Sequence, residues 1–142
     1  MPENKTIERA QEDAREGKAP STQAGEFVRE EMEHIRQGKH GARSTKQAIA
    51  IGLSKARRAG VPLAPPKEGQ ASDSTRKQAT RDYVKGQTGA GKKRPSAKRS
   101  RAVSAALKRE GRSAASHKAL SQQAHRAAQK RKKGSSSRRN AA

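Results

Sequence analysis

The chain has 142 residues, a length that suits one domain. Its composition limits the core, because Leu, Ile, Val and Phe together make up only 13 of the 142 residues. That share is far below the one fifth or so of a chain that marks the border with disorder. Cysteine is absent, which excludes disulfides and thiolate metal sites, and the formal net charge of +21 makes a polyanion the expected partner.

The first 20 residues are predicted to hold a marginal helix. It extends from about Thr6 to Glu16 and carries few apolar residues, Ile7 and Ala10 among them. Gly17 is its expected end, because glycine adopts the left-handed conformation that closes many helices.

Residues 21–63 are predicted to form an antiparallel helical hairpin, the best-ordered part of the chain. Ser21 or Thr22 is the expected cap of the first helix, and Gly38 is its expected end. The apolar stripe at helical spacing comprises Ala24, Phe27, Val28, Met32 and Ile35.

The second helix of the hairpin begins at a capping box, since Ser44 and Gln47 have the required spacing. Its apolar face comprises Ile49, Leu53 and Ala56. Gly60 is expected to stop this helix, with Val61 folding back on the last turn as in a Schellman motif.

Residues 64–91 are predicted to be a linker, stiffened by Pro65 and Pro66 at its start. A short helix is expected over 75–85, around Tyr83 and Val84. A flexible break is expected over the following glycines, Gly86, Gly89 and Gly91.

The segment from Gly86 to Lys92 matches the first part of a phosphate-loop pattern, Gly-x-x-x-x-Gly-Lys. Lys93 stands where the pattern requires Ser or Thr, and no apolar strand precedes the loop. A glycine hinge is therefore the favoured interpretation. No cofactor and no small-molecule substrate are expected.

Glu30 and His34 lie one helical turn apart, and His40 follows shortly after. These three side chains could ligate a metal, but nothing else in the sequence supports a closed site. A solvated Glu30–His34 pair is favoured instead, and no metal site is predicted. An enzyme is not expected either, because the chain lacks the core that holds catalytic groups in place.

Residues 92–142 form a basic tail rich in Ala, Lys and Arg. Helical stretches are predicted over about 97–110 and 114–132, separated by Gly111, and disorder is predicted from Gly134 to the end. The Ala102–Arg109 stretch echoes Ala48–Lys55, which leaves true duplication and shared composition open as explanations.

Charge grows along the chain, from a net −3 over residues 1–37 to +8 over 38–91 and +16 over 92–142. Clusters of Lys and Arg with almost no acidic residues nearby predict binding to phosphates. The predicted nucleic-acid-binding residues are Arg43, Lys46, Lys55, Arg57, Arg58, Lys92, Lys93, Arg94, Lys98, Arg99, Arg101, Lys108, Arg109, Arg112, Lys118, Arg126, Lys130, Arg131, Lys132, Lys133, Arg138 and Arg139.

The segment over residues 26–60 resembles a family of small basic bacterial proteins of unknown function. The resemblance lies in Glu26–Met32, Gly38–Gly41 and Ser44–Gly60. The tail is similar in composition to histone H1-like bacterial proteins. These resemblances imply a bacterial source, and they carry no catalytic or binding residue over to this chain.

The sequence thus predicts a mostly α protein without a sheet, in which a helical hairpin with short flanking helices precedes a largely disordered or conditionally helical basic tail. The favoured function is DNA binding without sequence specificity, in the cytoplasm and at the nucleoid. RNA or ribosome binding is the first alternative, and a protein-interaction adaptor acting through the acidic helix 21–37 is the second. No segment is long and apolar enough to predict a membrane span.

Overall fold

The computed structural model describes residues 2–89 and 94–140, with side chains as far as Ser137. Within this part of the chain it contains six α-helices and a 3₁₀ turn, and it contains no strand. The predicted all-helical class is therefore confirmed. The helices are α1 (Asn4–Arg15), α2 (Pro20–Arg36), α3 (Thr45–Arg58), α4 (Asp73–Thr88), α5 (Ala97–Arg109) and α6 (His117–Asn140), and the 3₁₀ turn is Ser113–Ala115.

The ends of the first three helices follow the predicted chemistry. Gly17, Gly38 and Gly60 have positive φ angles of 74°, 75° and 98°. After α3, the N–H of Gly60 donates to the carbonyl of Arg57 and the N–H of Val61 donates to that of Ala56, each at 3.1 Å. This pair of hydrogen bonds is the Schellman motif, as predicted for this end.

The starts of α2 and α3 differ in how well the sequence predicts them. At α3 the Ser44 hydroxyl accepts a hydrogen bond from the N–H of Gln47 at 3.1 Å, so the predicted cap is confirmed. At α2 the prediction of a Ser21 or Thr22 cap is wrong. The helix starts at Pro20 itself, where the fixed φ of proline fits the first helical turn and its missing N–H is not needed.

Two small apolar clusters form the core. In one, Phe27 is 1% exposed and packs with Ala10, Ala24, Ala56 and Val61, so α1 joins the hairpin of α2 and α3. In the other, Met32, Ile35, Ala42 and Ala48 pack with Ala114 and Ala115 of the 3₁₀ turn, and Leu120 of α6 lies against them. The hairpin is thus central to both clusters.

Part of the basic tail docks on the hairpin rather than standing apart from it. The N–H of Gly41 donates to the Leu107 carbonyl at 2.8 Å, and the N–H of Ala42 donates to the Gly111 carbonyl at 3.0 Å. The hydroxyl of Thr45 donates to the Ala114 carbonyl at 2.5 Å. These bonds fix residues 107–115 against the start of α3.

Helix α4 is longer than the predicted 75–85 segment. Its buried side chains are those of Ala79 and Asp82, whereas Val84 is 49% exposed. The expected flexible break at Gly86 is also wrong. A Cβ atom built on Gly86 would overlap the Arg57 carbonyl oxygen, so glycine is present there because α3 and α4 touch.

The end of α6 corrects the expectation of disorder over residues 134–142 as far as Asn140, where the helix ends. No proline interrupts this stretch, and Gly134 lies in it with open space around it. A lone glycine lowers helix stability by about 1 kcal/mol but does not end a helix by itself.

Candidate nucleic-acid interface

Helix α5 carries four of its five cations on one side. At 3.6 residues per turn, Lys98, Arg101, Lys108 and Arg109 fall within an arc of about 100°, so their side chains project toward the same side of the helix. All four are exposed, and α5 buries no residue. The face is therefore open along the whole helix.

Helix α6 continues the basic surface over 24 residues, which is about 36 Å of helix at 1.5 Å per residue. Arg126, Lys130 and Lys133 follow one another at spacings of one helical turn and share a stripe. Arg131 and Lys132 lie on the two flanks of this stripe. The length of the helix is comparable to one turn of duplex DNA, about 34–36 Å.

The cations of α5 and α6 lack acidic neighbours for a reason that lies in the sequence. Beyond Asp82 the chain contains a single acid, Glu110. In the part that the structure describes, every ion pair lies between residues 3 and 82. The basic groups of the two helices are thus available to an external anion.

Two cations predicted to bind nucleic acid make contacts inside the fold. Lys55 donates to Oε1 of Glu31, a carboxylate that is 1% exposed. Arg57 is buried, and its guanidinium donates to the carbonyls of Leu63 at 3.1 Å and Ala64 at 3.3 Å. Burial lowers the pKa of Arg57, and nearby Asp82 acts in the opposite direction.

Arg58 combines an internal contact with an exposed side chain. Its Nε lies 3.7 Å from Oδ1 of Asp82, but 52% of its side chain is exposed. Asp82 has closer partners, since it accepts a hydrogen bond from the Ser54 hydroxyl at 2.6 Å and from Gln78 Nε2 at 3.1 Å. Arg58 therefore contributes little to that buried carboxylate and stays accessible.

The remaining predicted residues are exposed wherever their side chains are described. Lys92 and Lys93 lie outside the described residues, and the side chains of Arg138 and Arg139 lie beyond the described ones. The exposed predicted residues are Arg43, Lys46, Arg94, Lys98, Arg99, Arg101, Lys108, Arg109, Arg112, Lys118, Arg126, Lys130, Arg131, Lys132 and Lys133.

The predicted glycine loop does not start as a phosphate loop does. Gly86, Gln87 and Thr88 form the last turn of α4, and the left-handed residue is Gly89, with a φ of 66°. A phosphate loop instead follows a strand and precedes a helix. The rest of the motif, from Ala90 to Lys93, lies outside the described residues.

The expected solvated Glu30–His34 pair is wrong. Glu30 is 4% exposed, and its Oε1 accepts hydrogen bonds from the N–H of Glu3 at 2.6 Å and from the Thr6 hydroxyl at 3.3 Å. His34 instead lies with Nε2 3.0 Å from Oε1 of Glu3. Hydrogen bonding from His34 and Lys39 lowers the pKa of Glu3.

Sequence reasoning missed the part that Glu31 plays in this ionic cluster. Glu31 is buried on α2, where its Oε1 meets Lys55 and its Oε2 lies 3.2 Å from Nε2 of His40. In the sequence Glu31 lies three residues before His34, so it can face that histidine on the helix as Glu30 can. Nothing in the sequence indicated that its side chain is buried.

Comparison with known proteins agrees with the resemblance found in the sequence. No curated protein matches the chain. No solved structure matches it either. None of the described helices has the length and apolar character needed to cross a bilayer. Residues 17–68 match a family of unknown function (DUF6496), a span that contains the α2–α3 hairpin and ends before α4.

Proposed function

We propose that the protein binds duplex DNA without sequence specificity, through the basic surface of α5 and α6, as a histone-like accessory protein of the bacterial nucleoid. One observation carries the proposal. Those cations of α5 and α6 whose side chains are described are exposed and have no carboxylate as an ion-pair partner, whereas cations of the hairpin such as Lys55 pair inside the protein.

Counterion release explains how such a surface acts. Each Lys or Arg that neutralises a phosphate frees a condensed cation, and the entropy of that release favours binding. Contacts of this kind fix the position of the protein on the duplex but read no bases. Stacking of bases on aromatic side chains is not the proposed mode of binding. Phe27 is buried in the core, and Tyr83 is the other aromatic residue of the chain.

A salt titration of binding tests the proposal with two variants of equal charge. The first replaces Lys130, Arg131, Lys132 and Lys133 of α6 by Gln. The matched control replaces four exposed cations on and beside α4, which are Lys67, Lys77, Arg81 and Lys85. Both variants lower the formal charge from +21 to +17, so they differ in the place of the charge and not in its amount.

The α6 variant is expected to reduce the slope of log affinity against log salt by as much as about 3.6, since each lost contact removes about 0.9. The α4 control is expected to reduce it by less than about 1. Equal slopes for the two variants would place the binding surface elsewhere.

The same titration on two unrelated duplexes and on a structured RNA of equal length separates the remaining alternatives. The proposal predicts similar affinity for the two duplexes, because phosphate contacts carry no sequence information. Affinity for the RNA more than about tenfold above that for DNA would replace DNA by RNA as the partner. A protein complex that survives nuclease treatment and depends on residues 21–37 would favour the adaptor function.

A further inference from the structure

Glutamate and histidine side chains converge where α1 begins and α2 ends, on the side of the loop that leads to α3. Ligand atoms of Glu31, His34 and His40 lie within 4.8 Å of one another. Glu3 and Glu30 form a second set with the same His34. The hairpin itself creates this cluster, because Glu31 and His34 share a helix face and the turn at Gly38 brings His40 back beside them.

Two carboxylate oxygens of the cluster are buried without a hydrogen-bond partner. They are Oε2 of Glu30 and Oε2 of Glu31, on side chains that are 4% and 1% exposed. A buried carboxylate oxygen without a hydrogen bond is costly, and the cost falls when a cation binds it. Both oxygens are therefore suited to a positively charged ligand.

The hydrogen bond of His40 shows what kind of ligand fits. Nδ1 of His40 lies 2.9 Å from the Gly41 carbonyl oxygen. A carbonyl oxygen accepts, so Nδ1 carries a proton, and Nε2 is the ring nitrogen that remains to bind a metal. Such a second hydrogen bond is typical of histidines that bind metals, since it fixes the tautomer and the orientation of the ring.

Nε2 of His40 and Oε2 of Glu31 are 3.2 Å apart without a hydrogen bond between them. At that separation the two atoms can both bind one cation. Two ligand atoms bound to one tetrahedral zinc at about 2.0–2.1 Å lie about 3.4 Å from each other. The observed separation is close to that value.

We propose that Glu31, His34 and His40 form a binding site for a divalent transition-metal ion, with zinc as the ion that suits the ligands best. Two imidazoles and a carboxylate favour zinc and its neighbours over magnesium and calcium, which prefer oxygen ligands. Three protein ligands leave a fourth position for water, and Glu30 belongs to the neighbouring set that shares His34.

The local charge supports a cation here despite the strongly basic chain. Carboxylates of Glu3, Glu30 and Glu31 meet the ammonium groups of Lys39 and Lys55, which leaves a net negative charge when the histidines are neutral. Lys55 donates to Oε1 of Glu31, so it orients the carboxylate and leaves Oε2 for the metal. A bound metal would join α2 to the loop before α3.

Calorimetric titration of the full chain with Zn²⁺ tests the site. The test variant is His34→Gln with His40→Gln, and the matched control is His117→Gln with His125→Gln, two exposed histidines of α6. We expect one zinc per chain in the wild type and in the control, and a loss of affinity of at least about 100-fold in the test variant. Equal affinity in the two variants would overturn the proposal, as would the absence of a one-to-one complex in the wild type.

A second measurement on the wild type keeps the proposal testable if the double variant loses helicity. Cobalt in a tetrahedral site absorbs visible light strongly, because the site lacks an inversion centre. We expect such absorption on adding Co²⁺ and its loss on adding excess Zn²⁺. The weak spectrum of hydrated cobalt would contradict the site. The melting temperature should also rise with Zn²⁺, because the metal binds the folded hairpin.

Discussion

The hairpin of α2 and α3 and the basic helices α5 and α6 use their cations in opposite ways. In the hairpin, Lys55 neutralises a buried carboxylate and Arg57 holds the start of the proline linker. In α5 and α6 the cations have no acidic residue nearby in the sequence except Glu110. The difference shows that the density of charge in a sequence does not tell which cations are used inside the fold, whereas the contacts of each cation do.

The two regions also differ in how they are stabilised. The hairpin buries Phe27, Ile35 and Glu31 almost completely, so tertiary packing supports its helices. Helix α5 buries no side chain, and its Val103 is 53% exposed. Helices without a packed face depend on propensity and caps, and those terms are small. The basic helices should therefore be the less stable part of the chain.

The largest expected effect is on the hairpin. Phe27→Ala should lower the free energy of unfolding by about 3–5 kcal/mol, because it removes the largest apolar side chain of a small cluster. Val103→Ala should change it by less than about 0.5 kcal/mol, since the side chain is mostly exposed. Urea denaturation of both variants checks the difference, and equal losses would mean that the core extends over α5.

A glycine pair tests the contact between α2 and α3. A Cβ on Gly52 would lie 2.7 Å from Cα of Val28, whereas a Cβ on Gly25 has open space. Gly52→Ala should destabilise the protein by about 1–3 kcal/mol through overpacking. Gly25→Ala should stabilise it by up to about 1 kcal/mol, because alanine is the better helix former. Opposite signs in thermal denaturation are the expected result, and equal signs would show that the helices do not approach so closely.

These two pairs also show how far the sequence could go. The apolar stripe and the glycine ends predicted the hairpin, with Phe27 buried, because both signals are local. The sequence could not show that other helices approach closely at Gly52 and Gly86. A glycine that makes room for the backbone of another helix cannot be distinguished, from sequence alone, from a glycine in a flexible segment. The buried face of α4 depends on distant contacts in the same way, because Asp82 is buried through its bond to Ser54 of another helix.

The predictions about the proposed binding surface divide in the same way. The sequence already shows that the cations of α5 and α6 have no acidic neighbours except Glu110. The internal roles of Lys55 and Arg57 depend on tertiary contacts with Glu31 and Leu63. The residue pattern of α3 alone therefore could not predict the internal contacts of Lys55 and Arg57.

A smaller loss of stability is expected when the contact between residues 107–115 and the hairpin is disturbed. Gly41→Ala would place a Cβ in overlap with the Glu110 carbonyl oxygen, so residues 107–115 should leave the hairpin or shift. We expect faster amide exchange at Gly41 and Ala42, whose N–H groups donate to the tail, at a cost of about 1 kcal/mol or more in stability. Unchanged exchange at both amides would mean that the tail does not dock there.

The smallest effect is expected in the basic helices. Gly134→Ala should increase helicity near the end of α6, by about 1 kcal/mol of local stability, because nothing surrounds this glycine. The gain should show in circular dichroism of the free protein without a change in the unfolding of the hairpin. A shift in hairpin stability would indicate that the end of α6 packs on it.

Amide hydrogen exchange of the full chain, with and without duplex DNA, tests the central claim most directly. Without DNA, protection should be strongest in α2 and α3, where the core lies, and weak in α5 and α6. With DNA, new protection should appear in α5 and α6, since phosphates remove the repulsion between their cations. New protection in the hairpin with none in α5 and α6 would contradict the account.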